Sequence, residues 1–254
     1  MSYTRYVMIA QPRTGSTLMN LLLASHPNVL SFGEILHPAE ETRRDNSVRS
    51  RIPVLTLDDD IIEYLENYVY KEYPDSITAV GFKLFYDHAR NPEWSPVREY
   101  LRDTQVRVIH LKRKNLLDRY LSFELAMRSN VWVDLKDKNN APNQPITLDP
   151  KKCFQNFHKT KWFEGETDDF FKDNPKLEVI YEELANDPDR NSRRILDFLK
   201  VDHQELTSKT RKQQTKNKAE VIANYDELKQ LLIRALSNGQ EWAKEEWLDF
   251  FDEE

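Results

Sequence analysis

The segment that most constrains the fold is residues 9–29, IAQPRTGSTLMNLLLASHPNV, in which an apolar strand passes through a short turn into an apolar helix. The pattern predicts the strand over 6–10 and the helix over Thr17–Ser25, where apolar residues recur with the helical period. Gly15 permits the backbone to approach a ligand closely, and the amides at the start of a helix favour an anion. The segment is therefore typical of a turn that binds phosphate or sulfate.

The turn nevertheless lacks the lysine of an ATP-binding loop. The pattern G-x-x-x-x-G-K-[ST] places lysine directly after the second glycine, where this chain has Ser16, and its first glycine where this chain has Ala10 or Gln11. Arg13 can supply the missing cation, because a guanidinium binds two anionic oxygens at once. The turn thus predicts an anion site of a different kind.

Further apolar strands, alternating with helical segments, continue along the chain. They are predicted at 29–32, 79–85, 106–111 and 177–181. This alternation predicts an α/β fold of three layers, with a central parallel sheet flanked by helices. The carboxyl ends of parallel strands meet at one edge and build the ligand site. We therefore expect Arg13, Glu34, Lys83 and Arg113, which follow or lie near such ends, to converge.

Length, charge and cysteine content narrow the class of protein. With 254 residues we expect one domain, 1–254, with insertions near 38–60 and 129–165 that shape the acceptor pocket. The net charge of −6 argues against general nucleic-acid binding, which needs a broad positive surface. The single cysteine, Cys153, forms no internal disulfide, and the N-terminus lacks the apolar run of a signal peptide or membrane span. We expect a cytoplasmic protein without a membrane span.

Two motifs resemble one known family. PRTGSTLM, residues 12–19, is similar to the 5′-phosphosulfate loop of sulfotransferases that use 3′-phosphoadenosine-5′-phosphosulfate (PAPS), especially the bacterial type that includes trehalose and nodulation-factor sulfotransferases. VRVIHLKRKNLLDRYLSFELA, residues 106–126, resembles the family's 3′-phosphate segment, and 179–201 and 209–228 resemble its later segments. The resemblance implies a P-loop-type fold and a PAPS-dependent sulfotransferase, with adenosine 3′,5′-bisphosphate as product and no metal.

The resemblance also implies the residues that bind the nucleotide. The loop residues that would hold its 5′ end are Arg13, Thr14, Gly15, Ser16 and Thr17. Arg113 or Lys114, or both, would bind the 3′-phosphate together with Ser122 of the following helix. The basic residues of the C-terminal segment are Lys209, Arg211, Lys212 and Lys216. Of these we assign Lys212 to the nucleotide, and the alternative for the whole run is a solvated face.

Sulfuryl transfer needs a cation where charge builds on the leaving oxygen and a base for the acceptor hydroxyl. Arg13 is the candidate cation. Glu34, which follows the second strand in SFGE, is the candidate base, with His37 or a purely structural ion pair as the alternatives. Lys83, a charge within the apolar strand AVGFKLF, either reaches the sulfate or acceptor or pairs with Glu34 or Asp87.

Several expectations concern the remaining residues and partners. His110 lies within an apolar strand and is expected to be a core histidine, and no spacing of His, Cys and Asp indicates a metal site. The C-terminal segment EWAKEEWLDFFDEE predicts an acidic amphipathic helix that packs against the rest of the chain or against a second subunit in a homodimer. The expected acceptor is a hydroxyl of a small molecule or carbohydrate.

Two rival functions fit the loop alone. One is a P-loop phosphotransferase that has lost its lysine, and the other is a non-catalytic nucleotide-binding regulatory module.

Overall fold

The computed structural model describes residues 3–36, 52–53, 55–56, 59–90, 92–132, 144–208 and 217–252. Two compact units are described separately below. The first comprises Met1–Lys112 and Glu166–Lys209, and the second comprises Arg113–Gly165 and Thr210–Glu254. The single domain expected from the length of the chain stays a prediction.

A parallel sheet of five strands forms the centre of the first unit. The strands are β1 (Thr4–Ala10), β2 (Val29–Glu34), β3 (Ala79–Phe85), β4 (Arg107–Lys112) and β5 (Lys176–Ile180). Their order across the sheet is β2-β3-β1-β4-β5, and every neighbouring pair is parallel. The central strand is β1, and the chain passes from one side of it to the other between β3 and β4. In open α/β sheets, the carboxyl end of the strand at such a reversal is where ligands bind.

Helices connect and follow the strands of the sheet. They are α1 (Ser16–Ala24), α2 (Ile61–Tyr64), α3 (Pro96–Asp103), α4 (Leu116–Ser129), α5 (Pro150–Phe170), α6 (Tyr181–Asn186), α7 (Pro188–Leu199), α8 (Lys218–Val221) and α9 (Tyr225–Ser237). A π-helical turn at Leu65–Val69 continues α2, and short 3₁₀ segments cover His88–Arg90 and Glu245–Phe251.

The two faces of the sheet pack against different helices. On one face, Met8 of β1 lies in an apolar core with Leu23 of α1 and Leu196 of α7. Successive residues of a strand point to opposite faces. On the other face, His110 of β4 contacts Asp168 of α5. The parallel sheet with helices on both faces confirms the predicted three-layer α/β fold.

The second unit has an apolar core of its own, built from helices. Leu121 of α4, Phe157 of α5 and Leu232 of α9 are buried there together with Trp247 and Phe250 of the C-terminal segment. That segment was predicted as an α-helix, and the structure shows a 3₁₀ helix instead. A 3₁₀ helix places residues three apart on one side, so Trp247 and Phe250 are both buried. The predicted packing of these aromatic residues against the rest of the chain is confirmed within this unit.

No helix among the described residues is long and apolar enough to cross a membrane.

Candidate active site

The loop between β1 and α1 has the backbone conformation of an anion-binding turn. Arg13 with φ +72° and Gly15 with φ +82° both lie in the left-handed region. The Thr14 hydroxyl donates to the carbonyl oxygen of Gln11 at 2.8 Å, which closes the turn. Gly15 is the N-cap of α1 and has no side chain with which to cap it. The first amides of α1, beginning at Ser16, therefore receive no side-chain cap from Gly15. Amides at the start of a helix are typical donors to a bound anion.

Gly15 is required by its surroundings as well as by its backbone angle. A methyl group added at residue 15 would lie 2.2 Å from Cδ2 of Tyr181, far inside van der Waals contact. Tyr181 is the first residue of α6 and directly follows β5. Its ring therefore packs on the backbone of the loop. Only glycine satisfies both the left-handed angle and this close approach.

Beside the loop, the carboxyl ends of β2 and β3 carry an ion pair. Lys83 Nζ lies 2.6 Å from Glu34 Oε1, with Lys83 almost fully buried and Glu34 partly exposed. The same ammonium donates to the Thr17 hydroxyl at 3.4 Å and lies 5.0 Å from the centre of the Phe85 ring. Three predicted site residues, Thr17, Glu34 and Lys83, are thus brought together. The pair between Lys83 and Glu34 is one of the two arrangements expected for this lysine.

A β-bulge places Glu34 opposite Lys83. The pairing of β2 with β3 runs regularly to Ser31, then shifts so that Glu34 pairs with Lys83. Gly33 lies within this shift, between Ser31 and Glu34, and has φ +69°, an angle that residues with a side chain rarely adopt. Bulges are a common means of redirecting a side chain at a functional site. This one gives the carboxylate its position next to the ammonium.

In the second unit, the residues that follow β4 form a basic cluster around Asp118 of α4. Arg113 is buried, and its Nη2 lies 3.6 Å from Asp118 Oδ2. Lys218 of α8 is also buried, with its Nζ 3.9 Å from Asp118 Oδ1. Lys114 is exposed, and the side chain of Asn115 accepts from the Asp118 amide to begin α4. Two cations, Arg113 and Lys218, thus lie near the same carboxylate.

Comparison with known proteins identifies the family. The sequence pattern that defines the sulfotransferase domain family matches residues 4–250 of this chain. The chain belongs to this family. The match confirms the resemblance inferred from the two motifs, and it makes the chain an enzyme that transfers a sulfuryl group. The phosphotransferase and the regulatory module are not favoured.

Relatives of this sulfotransferase agree with that assignment. Nodulation protein H of Rhizobium meliloti (strain 1021) is 26% identical over 235 residues, covering 88% of this chain and 89% of the relative. Nodulation protein H of Rhizobium tropici is 28% identical over 233 residues, covering 88% of this chain and 87% of the relative. A solved sulfotransferase from Alicyclobacillus acidocaldarius has a TM-score of 0.52 at 12% identity, covering 96% of this chain and 95% of that one. This structural likeness shows the P-loop-type fold.

Some predicted site residues of the sulfotransferase lie outside the described residues. These are His37, Lys209, Arg211, Lys212 and Lys216. Ser122 lies in α4, partly exposed. Within the described ranges, no group of three or more His, Cys, Asp or Glu side chains could hold a metal ion. The expected absence of a metal stays a prediction.

One residue in each unit was not selected from the sequence as part of the cluster in which the structure places it. Tyr181 lies in the segment 179–201 that resembles the family, and its contact with Gly15 shows that it supports the loop. Lys218 is the last of five basic residues between 209 and 218, and it was not selected among them. The sequence distinguished Lys218 only as a member of that basic run. Its pairing with Asp118 could not be predicted, because the two residues lie a hundred positions apart in the chain.

Proposed function

We propose that this sulfotransferase moves the sulfuryl group of PAPS to a hydroxyl group of a small molecule or carbohydrate by in-line displacement. The observation that carries the proposal is the cluster of Lys83, Glu34 and Thr17 next to a loop in which Gly15 leaves the first helix amides without a cap from its own position. This arrangement offers a cation and amides to an oxyanion and, beside them, a carboxylate that accepts protons. These are the two requirements of the reaction.

The described residues fit the donor. PAPS, when bound, supplies an activated sulfuryl group on a 5′-phosphate and a second anionic group at its 3′ position. Arg13, Ser16 and Thr17 would hold the 5′ end through guanidinium, hydroxyl and amide donors, and a backbone of this conformation accepts an oxyanion. Arg113 or Lys114, or both, are proposed for the 3′-phosphate together with Ser122, and Lys212, which lies outside the described residues, is proposed for it as well.

The roles of the chain's residues follow from the balance of the reaction. The bond from sulfur to the bridging phosphate oxygen breaks, and a bond from sulfur to the acceptor oxygen forms. Glu34 takes the proton of the acceptor hydroxyl as that bond forms. A carboxylate can do so because its oxygens accept the hydrogen bond of the hydroxyl and then its proton. Lys83 stabilises the negative charge of the sulfuryl oxygens, and Arg13 stabilises the charge left on the departing 5′-phosphate.

Calorimetry with adenosine 3′,5′-bisphosphate tests the proposed donor. We expect micromolar binding of this product without a metal ion, and weaker binding of ATP whether or not magnesium is present. A preference for magnesium and ATP would contradict the proposal. The titration needs no acceptor and is therefore independent of the acceptor's identity.

Separate alanine variants of Arg113 and Lys114 test recognition of the 3′-phosphate. Loss of a charge-assisted hydrogen bond should weaken binding of adenosine 3′,5′-bisphosphate by about 1.5–3 kcal/mol. Binding of adenosine 5′-phosphate, which lacks the 3′ group, should hardly change. Equal losses for both ligands in a variant would show that the residue does not recognise the 3′-phosphate.

A cytoplasmic location, a homodimer and the absence of nucleic-acid binding are carried over from the sequence as part of this proposal. Light scattering of the purified chain would test the dimer directly.

A further inference from the structure

A buried chain of hydrogen bonds in the first unit has no part in the proposed chemistry. His110 is completely buried, and its Nε2 lies 2.6 Å from the hydroxyl of Tyr86, which is also buried. The other ring nitrogen, Nδ1, lies 3.0 Å from Asp168 Oδ1. Both nitrogens of a histidine in an apolar strand are therefore engaged. The expected core histidine is confirmed, and its partners are specific.

The direction of the hydrogen bonds follows from Asp168. Burial alone would raise the pKa of this carboxyl, but hydrogen bonds from His110, Lys112 and Lys176 hold the pKa well below its usual range. An ionised carboxylate only accepts, so His110 donates from Nδ1, and its Nε2 shares a second hydrogen bond with the Tyr86 hydroxyl. Lys112 Nζ lies 2.6 Å and Lys176 Nζ 2.9 Å from the same carboxylate. The chain of bonds is complete from the tyrosine to the two lysines.

The position of Tyr86 gives this chain of bonds its significance. β1 lies between β3 and β4 in the sheet. Tyr86 directly follows β3, its amide donates to the carbonyl of Ala10 at 3.2 Å, and its hydroxyl reaches His110 of β4. Ala10 is the last residue of β1, and the anion loop begins with the next residue. Tyr86 therefore joins three adjacent strands near their carboxyl ends, β1 through its backbone amide and β4 through its side chain.

Stability alone does not account for such an arrangement. The partly exposed ion pairs of Asp168 contribute little to folding, and apolar side chains often stabilise a core as well as a buried polar pair such as Tyr86 and His110 does. A network whose groups are all satisfied does, however, hold its members in a single geometry. Catalytic sites need their binding groups held to a fraction of an ångström, and such support comes from neighbouring hydrogen bonds. The network lies where that support is needed.

We propose that Tyr86 and His110 are positioning residues for sulfuryl transfer, which hold the ends of β1, β3 and β4 in the geometry that binds the donor. The inference rests on the proposed function, since it takes the loop after β1 as the donor site. Neither residue touches the reacting atoms. Their effect is exerted through the loop that follows Ala10 and through Lys83, three residues before Tyr86 in the chain.

Two variants remove the same hydrogen bond from opposite sides. Tyr86→Phe deletes the hydroxyl and keeps the ring. His110→Asn places an amide near the position of Nδ1, where it can still donate to Asp168, and removes Nε2. We expect each variant to weaken binding of adenosine 3′,5′-bisphosphate about tenfold, the size of a lost buried hydrogen bond. The double variant should also be about tenfold weaker, because only one bond is lost.

Tyr70→Phe is the matched control. Tyr70 is fully buried, and its hydroxyl donates to the carbonyl oxygen of Tyr6 at 2.8 Å, four residues before Ala10 on the same strand. This variant also removes a buried tyrosine hydroxyl that bonds to β1, but the bond is at Tyr6 and not at the end of the strand where the loop begins. We expect a comparable fall in melting temperature and no change in nucleotide affinity. Thermal unfolding of all four variants, with titrations well below their midpoints, keeps folding and binding separate.

The outcomes distinguish this inference from the proposed function. If the unaltered chain does not bind adenosine 3′,5′-bisphosphate without metal, the proposed function fails first. If the unaltered chain binds it, but Tyr70→Phe weakens binding as much as Tyr86→Phe does, the network is only structural. A hundredfold loss in the double variant would likewise show that Tyr86 and His110 act independently, and would overturn the inference.

Discussion

The two ends of the central sheet both carry an ion pair, and they differ in what surrounds it. At the amino end, Arg5 of β1 donates to both carboxylate oxygens of Glu66, at 2.8 and 2.9 Å, and to the hydroxyl of Tyr100. The Tyr100 hydroxyl in turn donates to Glu66. At the carboxyl end, Lys83 contacts Glu34 beside a loop with left-handed residues and helix amides that lack a side-chain cap.

The difference concerns geometry more than charge. The amino-end cluster, defined as Arg5, Glu66 and Tyr100, joins β1 to two helical segments through a bidentate pair and a tyrosine that bonds to both charged groups, and none of its residues has a left-handed backbone. The carboxyl-end site, defined as the loop 11–17 with Glu34 and Lys83, has Arg13 and Gly15 in the left-handed region, and Arg13 is strained there because it carries a side chain. Strain of this kind persists where the surrounding structure maintains it, and it is concentrated at functional sites. The first cluster should therefore support folding, and the second should support sulfuryl transfer.

The largest effect should come from removing the proposed base. We expect Glu34→Gln to lower kcat by about 10²–10⁴-fold, because general base catalysis contributes about that much. Binding of adenosine 3′,5′-bisphosphate should be retained. The measurement is steady-state transfer to an acceptor found by screening. The matched control is Glu66→Gln, which changes the same residue type at the amino end and should leave kcat unaltered.

The next effect concerns the glycine of the loop. Gly15→Ala should destabilise the fold by about 2–5 kcal/mol, through left-handed strain of about 1–2 kcal/mol and displacement of the Tyr181 ring, a form of overpacking that costs about 1–3 kcal/mol. Nucleotide binding should also be lost. Urea unfolding and calorimetry measure the two effects.

Gly239→Ala separates the two contributions of that change. Gly239 has φ +64°, and no atom lies within 4 Å of a methyl group placed there. It should therefore lose only about 1–2 kcal/mol from strain. If Gly15→Ala costs no more than Gly239→Ala, the ring of Tyr181 does not constrain the loop.

A smaller effect is expected from relieving strain at Arg13. Both Arg13→Ala and Arg13→Gly remove the guanidinium and should reduce transfer equally. Glycine adopts the left-handed angle without the strain of about 1–2 kcal/mol, although it adds about 0.4–1 kcal/mol of entropy to the unfolded chain. We therefore expect Arg13→Gly to be the more stable variant, by about 0.5–1 kcal/mol in urea unfolding. Equal stabilities would indicate that the loop relaxes when the arginine is removed.

The sequence predicted the strands of this sheet better than the clusters at its ends. Continuous apolar runs are typical of strands buried on both faces, and β3 has the predicted bounds, Ala79–Phe85. Glu34 and Lys83 could be selected as candidates because a charge at the end of such a run is conspicuous. Whether Lys83 reaches the sulfate or acceptor or pairs with a carboxylate depended on which strands are neighbours in the sheet. Strand order arises from tertiary packing, and the apolar pattern does not reveal it.

Other parts of the molecule gave no comparable signal. Helix α5 (Pro150–Phe170) was not predicted, because its apolar residues are interrupted by charged ones and Gly165 lies near its end. The amino-end cluster was also missed. Arg5, Glu66 and Tyr100 come from three separate segments, and each alone is an ordinary polar residue of a strand or helix. Only the folded chain brings them together.

The smallest predicted effect is the pH dependence of that amino-end cluster. Hydrogen bonds from Arg5 lower the pKa of Glu66 and outweigh the opposing effect of its partial burial, while the Tyr100 hydroxyl adds to the lowering. A carboxyl whose pKa is lower in the folded state contributes stability above its unfolded pKa of about 4.3, and this contribution is lost as the pH falls through the folded value. Its size should be about 0.2–1 kcal/mol, since a carboxylate 38% exposed is screened by water.

Glu66→Gln isolates this contribution, because the amide keeps the shape of the side chain and removes its charge. Urea unfolding at pH 7 should show the unaltered chain to be the more stable, and the difference should shrink steadily below about pH 4. Added salt at pH 7 should reduce the difference too, since it screens a partly exposed ion pair. A difference that stayed constant between pH 7 and pH 3 would mean that Glu66 contributes through hydrogen bonding alone. The charge of Glu66 would then contribute as little to folding as we expect from the ion pair of Lys83 and Glu34 at the carboxyl end.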